Sequence, residues 1–182
     1  MSSKYKFHNP DGHYFVTYSV VGWVDVFTRN VYKDILISSW QHCQQHKQLL
    51  IHAYVIMTNH VHMIISCGSD FYLEGIMRDL KKFTSYQILR AIEKEPESRR
   101  EWMLEVFRKA GELNSNNIRY QFWKQDNHPI ECDTPLILQQ KMDYIHENPV
   151  RAGFVEKGED WLYSSAGDYY ANRKGLIELA YV

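Results

Sequence analysis

The chain has 182 residues, 45% of them hydrophobic, 14% aromatic and 24% charged, with a net charge of −1 at pH 7. That composition points to a single globular domain over residues 1–182 and excludes a disordered segment or a bulk polycation, while permitting a local basic face. No run reaches the ~20 apolar residues of a membrane span. The N-terminal MSSKYKFHNPDGHYF lacks an apolar signal region, and Cys43, Cys67 and Cys132 are scattered and odd in number, as expected of reduced thiols in a cytoplasmic protein.

Tyr14 to Val21 (YFVTYSVV) reads as a first strand, rich in aromatic and β-branched residues, which Gly22 ends or bends. Thr28 or Asn30 is placed to cap a helix to about Lys47, with Val31, Ile35, Leu36 and Trp40 on its apolar face. His42 and His46 stand at i, i+4 on that helix, but a mixture of His and Gln ordinarily marks a solvated face. Leu49 to Ser66 (LLIHAYVIMTNHVHMIIS) then reads as two buried strands joined at Thr58 and Asn59. In a strand, residues i and i+2 share a face, so His60 and His62 aim two imidazoles at one point, a geometry that suits a divalent metal ion. With nine histidines, chance alone yields roughly 0.4 His-x-His pairs in such a chain, so the spacing by itself is weak. The context strengthens it: two polar rings in so apolar a strand need partners.

Gly68 to Asp70 form a loop. A helix follows from about Tyr72 to Glu93, with Leu73, Ile76, Leu80, Phe83, Ile88 and Leu89 inward. Its other face carries Arg78, Lys81, Lys82 and Arg90. Such a face is ordinarily solvated; near a metal-bearing strand it can hold phosphates, with Thr84, Ser85 and Tyr86 adding hydrogen bonds. Residues 93–117 change character. A mixed charge run leads into a short helix that ends before Gly111, and NSNN (114–117) is a loop, so the stretch reads as an insertion. Tyr120, Phe122 and Trp123 are expected to make a short aromatic strand, with a further strand after it. Thr134 and Pro135 form an N-cap and N1 pair that starts a helix. That helix is predicted to stop near Asn148-Pro149, because the residue before proline is pushed out of the helical region. The aromatic tail, 150–182, is expected to pack over the domain.

The last helix carries an informative row. Gln140, Tyr144 and Asn148 are spaced by four and share a face, while Leu138, Met142 and Ile145 lie on another that suits packing on a sheet. Taken singly, Tyr144 reads as a core-edge aromatic and Asn148 as a helix C-cap. Beside a His pair they supply a nucleophile and an amide ligand.

HAYVIMTNHVHMII, DLKKFTSY, QFW and above all MDYIHENPVRAGFV followed by DWLYSSAGDYY resemble the REP-associated tyrosine transposases, of the single-tyrosine branch of the HUH (His, hydrophobic, His) nucleases. The resemblance runs from about Tyr14 to Tyr170. Thr58 stands where the family usually has proline, the 93–117 stretch is longer than the minimal form, and the strand after QFW, with Asp126, Asn127 and Glu131, lacks a basic residue. The resemblance implies an α+β, ferredoxin-like fold with a central antiparallel sheet and packed helices, and the strand–helix–strand–strand–helix–strand–helix pattern agrees.

It further implies a transposase acting on single-stranded DNA near a hairpin. His60, His62 and Asn148 match the ligands of a divalent ion, magnesium or manganese, and Tyr144 matches the nucleophile. The product is a 5′-phosphotyrosine with a free 3′-OH. A free phenol ionises near ~10, so this role needs nearby positive charge, which the metal and Lys141 would supply, with Gln140 as further support. Arg78, Lys81, Lys82, Trp123, Lys124 and Arg151 make up the expected DNA-binding set. Rival readings are a replication-initiator or relaxase-type nickase, a domesticated DNA-hairpin-binding protein without cleavage, and a small metal-stabilised domain. The last would need a fourth ligand to close its site. The oligomer is a monomer or a homodimer, with the tail favouring a monomer.

Overall fold

In the computed structural model, which describes residues 7–114, 119–125 and 127–181, the strand bearing the His pair, His60–Cys67 (β3), lies inside a four-stranded sheet. It pairs antiparallel with Tyr14–Ser19 (β1) on one side and Leu49–Ile56 (β2) on the other. A two-residue strand, Ile130–Glu131 (β4), pairs antiparallel with the far side of β1, completing the order β2-β3-β1-β4. That is the ferredoxin-like order, and the chain is α+β as its pattern predicts.

Side-chain alternation divides the molecule into two layers. Val61, Met63 and Ile65 of β3 join Tyr14, Val16 and Tyr18 of β1 in the main core, under helices Asn30–Lys47 (α1) and Leu73–Lys94 (α2). Ile64 and Phe15 face the other way and pack with Met142 and Ile145 of helix Pro135–Arg151 (α4). β2 keeps both layers supplied through a bulge. Ile51 pairs with Ile65 and Ala53 with Ile64, leaving His52 unpaired, so Ile51 and Tyr54 both reach the main core although they are three apart. Trp40 is fully buried, and its indole N–H donates to the Tyr18 hydroxyl (3.1 Å), so the largest core side chain leaves no unpaired donor.

Several local expectations change. Phe83 points to solvent, and Met77, Thr84 and Ile92 are buried on α2 in its place. α1 has no side-chain cap: the Thr28 hydroxyl donates to the Asp25 carbonyl instead. The QFW segment is not a strand. Adjacent Phe122 and Trp123 are both buried, which breaks period-two alternation, and only one bridge forms, between Val20 and Trp123. Helix Arg100–Glu112 (α3) runs through Gly111 rather than stopping before it. The returning chain crosses there so closely that a Cβ on Gly111 would lie 2.7 Å from the Arg119 carbonyl oxygen. Residues 115–117 of the predicted NSNN loop, and Asp126, lie outside the described residues. The buried Glu97 carboxylate ties the segment before α3 to α1 by accepting from Arg99 Nε (3.1 Å) and the Tyr32 hydroxyl (3.2 Å).

After α4 the chain runs along the outer edge of β2. Ile56 N–H donates to Tyr163 O, Ser165 N–H to Tyr54 O and Ala180 N–H to Ile51 O, so the edge strand's free groups are paired. Two buried histidines fasten this arrangement. His146 of α4 lies 2.7 Å from Ser165 Oγ through Nε2 and 3.1 Å from the Tyr170 hydroxyl through Nδ1. Ser165 Oγ in turn accepts from Tyr54 N–H (2.9 Å). His52 donates from Nδ1 to Ala180 O (2.5 Å), and its Nε2 lies 2.8 Å from Ser66 Oγ. Among the described residues no helix is long and apolar enough to cross a membrane.

Burial pushes both His52 and His146 down to about 4. Their folded values lie below the unfolded value, so the unfolded chain takes up protons first as pH falls. The stabilisation is complete above about pH 6.5 and is lost between there and pH 4, at up to about 3 kcal/mol for each ring. Urea unfolding followed from pH 7 to pH 4.5 should show the midpoint falling, and His146→Gln should remove part of that slope. A flat wild-type profile would contradict the buried neutral rings.

Candidate active site

His60 and His62 lie on the α4 side of β3, with ring centroids 4.7 Å apart. Each is oriented by a neighbour that sequence spacing does not reveal. His60 donates from Nδ1 to Asn59 Oδ1 (2.7 Å). The Asn59 amide is itself held, because its Nδ2 donates to Asp25 Oδ1 (3.0 Å) and to the Trp23 carbonyl (3.3 Å). Thr58 also donates to Asp25 Oδ1 (2.6 Å), so the turn between the strands is fixed by one carboxylate. His62 pairs across the sheet with Thr17 of β1, and its Nδ1 lies 2.7 Å from Thr17 Oγ1. In the tautomer that donates from Nδ1 to Thr17, Nε2 presents a lone pair. That Nε2 is buried with no hydrogen-bond partner among the described residues.

An orphaned buried nitrogen is costly unless something binds it. Burial, the adjacent His60 and the Lys141 ammonium push His62 down to about 3, and burial lowers His60 as well. Both rings are therefore neutral at physiological pH, as a metal ligand must be. Further orienting contacts of this sort are typical around metal-binding histidines. No third His, Cys, Asp or Glu joins them among the described residues, so a further protein ligand would have to be an amide or a hydroxyl.

α4 brings Tyr144 to this pair. The helix starts as predicted, with Pro135 in its first turn and Thr134 Oγ1 accepting from Ile137 N–H (3.3 Å). Tyr144 stands edge-on to His62, with centroids 5.1 Å apart, and is 37% exposed. Phe15 forms the floor, stacked on His62 at 5.4 Å and edge-on to Tyr144 at 5.9 Å. Two cations flank it: Lys141 Nζ lies 4.9 Å from the Phe15 ring centre, and the Arg151 guanidinium 5.8 Å from the Tyr144 ring centre. Gln140 is on the same helical face but exposed, without a hydrogen bond to the site.

The predicted stop at Asn148-Pro149 is corrected, since α4 continues to Arg151 with Pro149 inside it. Proline here removes one bond in the last turn only. The carbonyls of Asn148 and Pro149 still accept from Ala152 N–H (3.0 Å) and Phe154 N–H (2.9 Å). Asn148 therefore keeps its place one helical turn beyond Tyr144. Its side chain is half-buried, and among the described residues it hydrogen-bonds to neither histidine.

The expected DNA-binding set divides. Arg78, Lys81 and Lys82 line a groove of about 530 Å³ between α2 and residues 120–125, with Asn127 and Pro129. Arg78 and Lys82 present their heads to solvent. Lys81 instead donates to Lys124 O (2.6 Å) and Asn127 Oδ1 (2.8 Å), holding the loop that forms the other wall. Trp123 borders the same groove but is 5% exposed, stacked on Phe27 at 5.7 Å, and its Nε1–H donates to Thr84 Oγ1 (3.0 Å), so most of its ring is turned inward. Lys124 sits over the ring of Trp23 at 3.8 Å, and Trp23 stands edge-on to His60 at 6.1 Å. Arg151 also pairs with Glu147, its Nε donating at 3.1 Å. Thr17, Phe15, Asp25, Asn59 and Trp23 were not singled out from sequence. Phe15 and Thr17 are two apart on the strand read from Tyr14 to Val21, so they share one of its faces, but nothing in the spacing says that this face adjoins the His pair.

The family described as "Transposase IS200 like" matches residues 23–111. That stretch holds both histidines and most of α3 and ends before Tyr144. The whole fold is similar to a solved REP-associated tyrosine transposase bound to a REP hairpin, with a TM-score of 0.67, 17% identity, and coverage of 99% of this chain and 92% of that one. No curated protein matches the chain in sequence.

The donor set leads to a direct binding test. Manganese(II) should bind the protein in calorimetry and raise its melting temperature, and His62→Ala should remove both effects. Asn59→Ala, which frees His60 to rotate, should weaken the affinity by roughly 10- to 100-fold. Unchanged binding in the His62 variant would remove this pair as a metal site.

Proposed function

We propose that this chain is a single-tyrosine DNA transposase of the REP-associated kind, cutting and rejoining single-stranded DNA beside a hairpin. One arrangement carries the reading. His62 stands between His60 and Tyr144, with a buried Nε2 that lacks a partner among the described residues. The match of residues 23–111 to IS200-like transposases supports it. The hairpin is taken from the solved neighbour's own partner.

Tyr144 is the nucleophile. Its phenolic oxygen attacks phosphorus, an O–P bond to the tyrosine forms, and the bond from phosphorus to the 3′ oxygen breaks. The 3′ oxygen leaves with the bonding pair and takes up a proton, giving a 3′-OH and a 5′-phosphotyrosine. Rejoining is the reverse, and because the phosphodiester is conserved in the covalent link no nucleotide cofactor is needed. Lys141 and Arg151 place positive charge beside the ring, which favours loss of the phenolic proton and approach to a phosphate. Partial exposure of Tyr144 leaves the phenol open to a strand arriving from solvent. A magnesium or manganese ion held by His60, His62 and Asn148 would supply Lewis-acid polarisation of the scissile phosphate. Thr17 and the Asp25–Asn59 pair hold the two imidazoles in place for that ion.

Arg78 and Lys82 bind backbone phosphates along the groove, while Lys81 keeps the groove's far wall in place. Since the tyrosine and both histidines meet within one chain, a monomer suffices for strand cleavage. The compartment is the one that holds the DNA, in keeping with the cytoplasmic expectation.

Two outcomes test this. Incubated with manganese and a pool of hairpin-bearing single-stranded DNA, the wild type should form a denaturation-resistant adduct that peptide mapping places within residues 135–151. Tyr144→Phe should form none. Its stability should stay within about 0.5 kcal/mol of wild type, because Tyr144 is 37% exposed and among the described residues its hydroxyl makes no hydrogen bond that the change would break. Hairpin binding by the wild type without any adduct would leave a DNA-binding protein that does not cut. Separately, replacing Arg78 and Lys82 together by Ala should lower the slope of log affinity against log salt by about one unit per lost phosphate contact. Lys81→Ala should act first on stability.

A further inference from the structure

Trp23 is out of place for a packing residue. It is 56% exposed, although Val20, Val21, Val24, Val26 and Phe27 around it are all buried. Its backbone is left-handed, with φ of +55°, directly after Gly22 at +64°. Glycine takes that conformation freely; a bulky aromatic rarely does, and persists there only when its surroundings impose it. Those surroundings are visible. Trp23 N–H donates to Val20 O (3.3 Å), and its carbonyl accepts from Asn59, the residue that also orients His60. Behind it, α3 packs so closely that a Cβ on Gly22 would lie 2.9 Å from Val106 Cγ1. α3 thus braces the turn that presents Trp23.

The ring's setting indicates its ligand. It stands edge-on to His60 at 6.1 Å, and the Lys124 ammonium covers it from 3.8 Å. Lys124 in turn belongs to the wall of the basic groove. A flat π surface with an ammonium against it, between a phosphate-binding groove and the His pair, is matched to an unpaired nucleobase and its phosphate. A base inside a duplex is already stacked on both faces, so only a single strand can use this surface.

We propose that Trp23 is the stacking platform for the nucleobase adjoining the phosphate cut at His60, His62 and Tyr144, with Lys124 steadying the ring and the backbone charge beside it. This rests on the strand-cleavage reading above. Stacking is tolerant of sequence, so Trp23 positions the strand and does not select its bases. It is a positioning residue whose strained backbone is maintained for that contact.

The strain supplies the test. Trp23→Gly removes the ring and relieves the left-handed backbone, so its melting temperature should equal or exceed that of the wild type. Its affinity for a fluorescein-labelled, mixed-sequence 20-nucleotide single strand, read by anisotropy, should fall by about 5- to 100-fold. Affinity for the same sequence as a duplex should not change. Trp23→Tyr should restore most of the single-strand affinity. In an oligonucleotide series carrying one abasic site each, one position should weaken wild-type binding and leave Trp23→Gly unaffected. If the wild type binds single strands and Trp23→Gly binds them equally, the platform is overturned while the cleavage reading stands. A lower melting temperature with undiminished affinity would also overturn it, by making the ring a packing element. If the wild type binds no single strand at all, the cleavage reading fails first and the platform falls with it.

Discussion

The period-two geometry of β3 is the constraint on which the site depends. The strand is paired on both sides and covered on both faces, so it has one tolerable register. Val61, Met63 and Ile65 fill the main core, which sends His60, His62 and Ile64 toward α4. A slip of one residue would bury two imidazoles among Trp40, Tyr54 and Met77 and take Val61, Met63 and Ile65 out of the main core. Burying each of those is worth roughly 1.5–3 kcal/mol, so packing enforces the orientation of the histidines. Their exact aim is then set by polar neighbours: Thr17 across the sheet for His62, and Asn59 braced by Asp25 for His60.

The second half of the site depends on a different contact. Tyr144 and His146 are two residues apart on α4, about 200° around the helix, so one faces the His pair and the other the tail. His146 meets Ser165, which is itself bonded to the backbone of Tyr54 on β2. The YIHENP and DWLYSS segments are thus two sides of one clamp that sets the position of the tyrosine helix against the sheet. The clamp is neutral and buried, so it holds through geometry and does not rely on charge. The same tail pairs the β2 edge, and α4 and the sheet edge are secured together.

The large periodic elements were legible in sequence because they obey a single period. The His-bearing hairpin, α1, α2 and the Thr134-Pro135 start of α4 all follow from apolar spacing and turn chemistry. Expectations failed where a tertiary contact outweighed the local rule. Pro149 was read as a stop, yet the carbonyls beside it found donors in the following turn. Gly111 was read as a terminator, but it serves a close crossing by Arg119. Phe122 and Trp123 looked like a strand because they are aromatic, yet both are drawn inward by Phe27 and Tyr18. Trp123 was placed in the DNA-binding set, while Trp23, exposed beside His60, sits a hundred residues earlier on a turn whose left-handed backbone has no signature beyond the preceding glycine. Asn59 was read only as a turn former and Asp25 not at all, because a polar residue that orients another leaves no spacing pattern.

Net charge of −1 is compatible with a locally basic groove because several acids are held in ion pairs. Glu105 and Glu112 pair with Arg108 on α3, Glu97 with Arg99 and Arg29 beside α1, and Glu147 with Arg151 at the end of α4. On α2, Asp79 takes both Lys47 and Arg78. Lys82 and Lys124 form no ion pair among the described residues, and both line the groove. Exposed pairs such as Arg78–Asp79 are worth little in water, so a phosphate can draw Arg78 away at small cost. Lys81 cannot be drawn away so easily, because its bonds to Lys124 O, Gln125 O and Asn127 Oδ1 would have to break first. The local field therefore comes from the spacing of unpaired cations and not from total charge. Adding acids elsewhere on the surface, beyond a Debye length of about 8 Å at physiological ionic strength, would leave it largely unchanged.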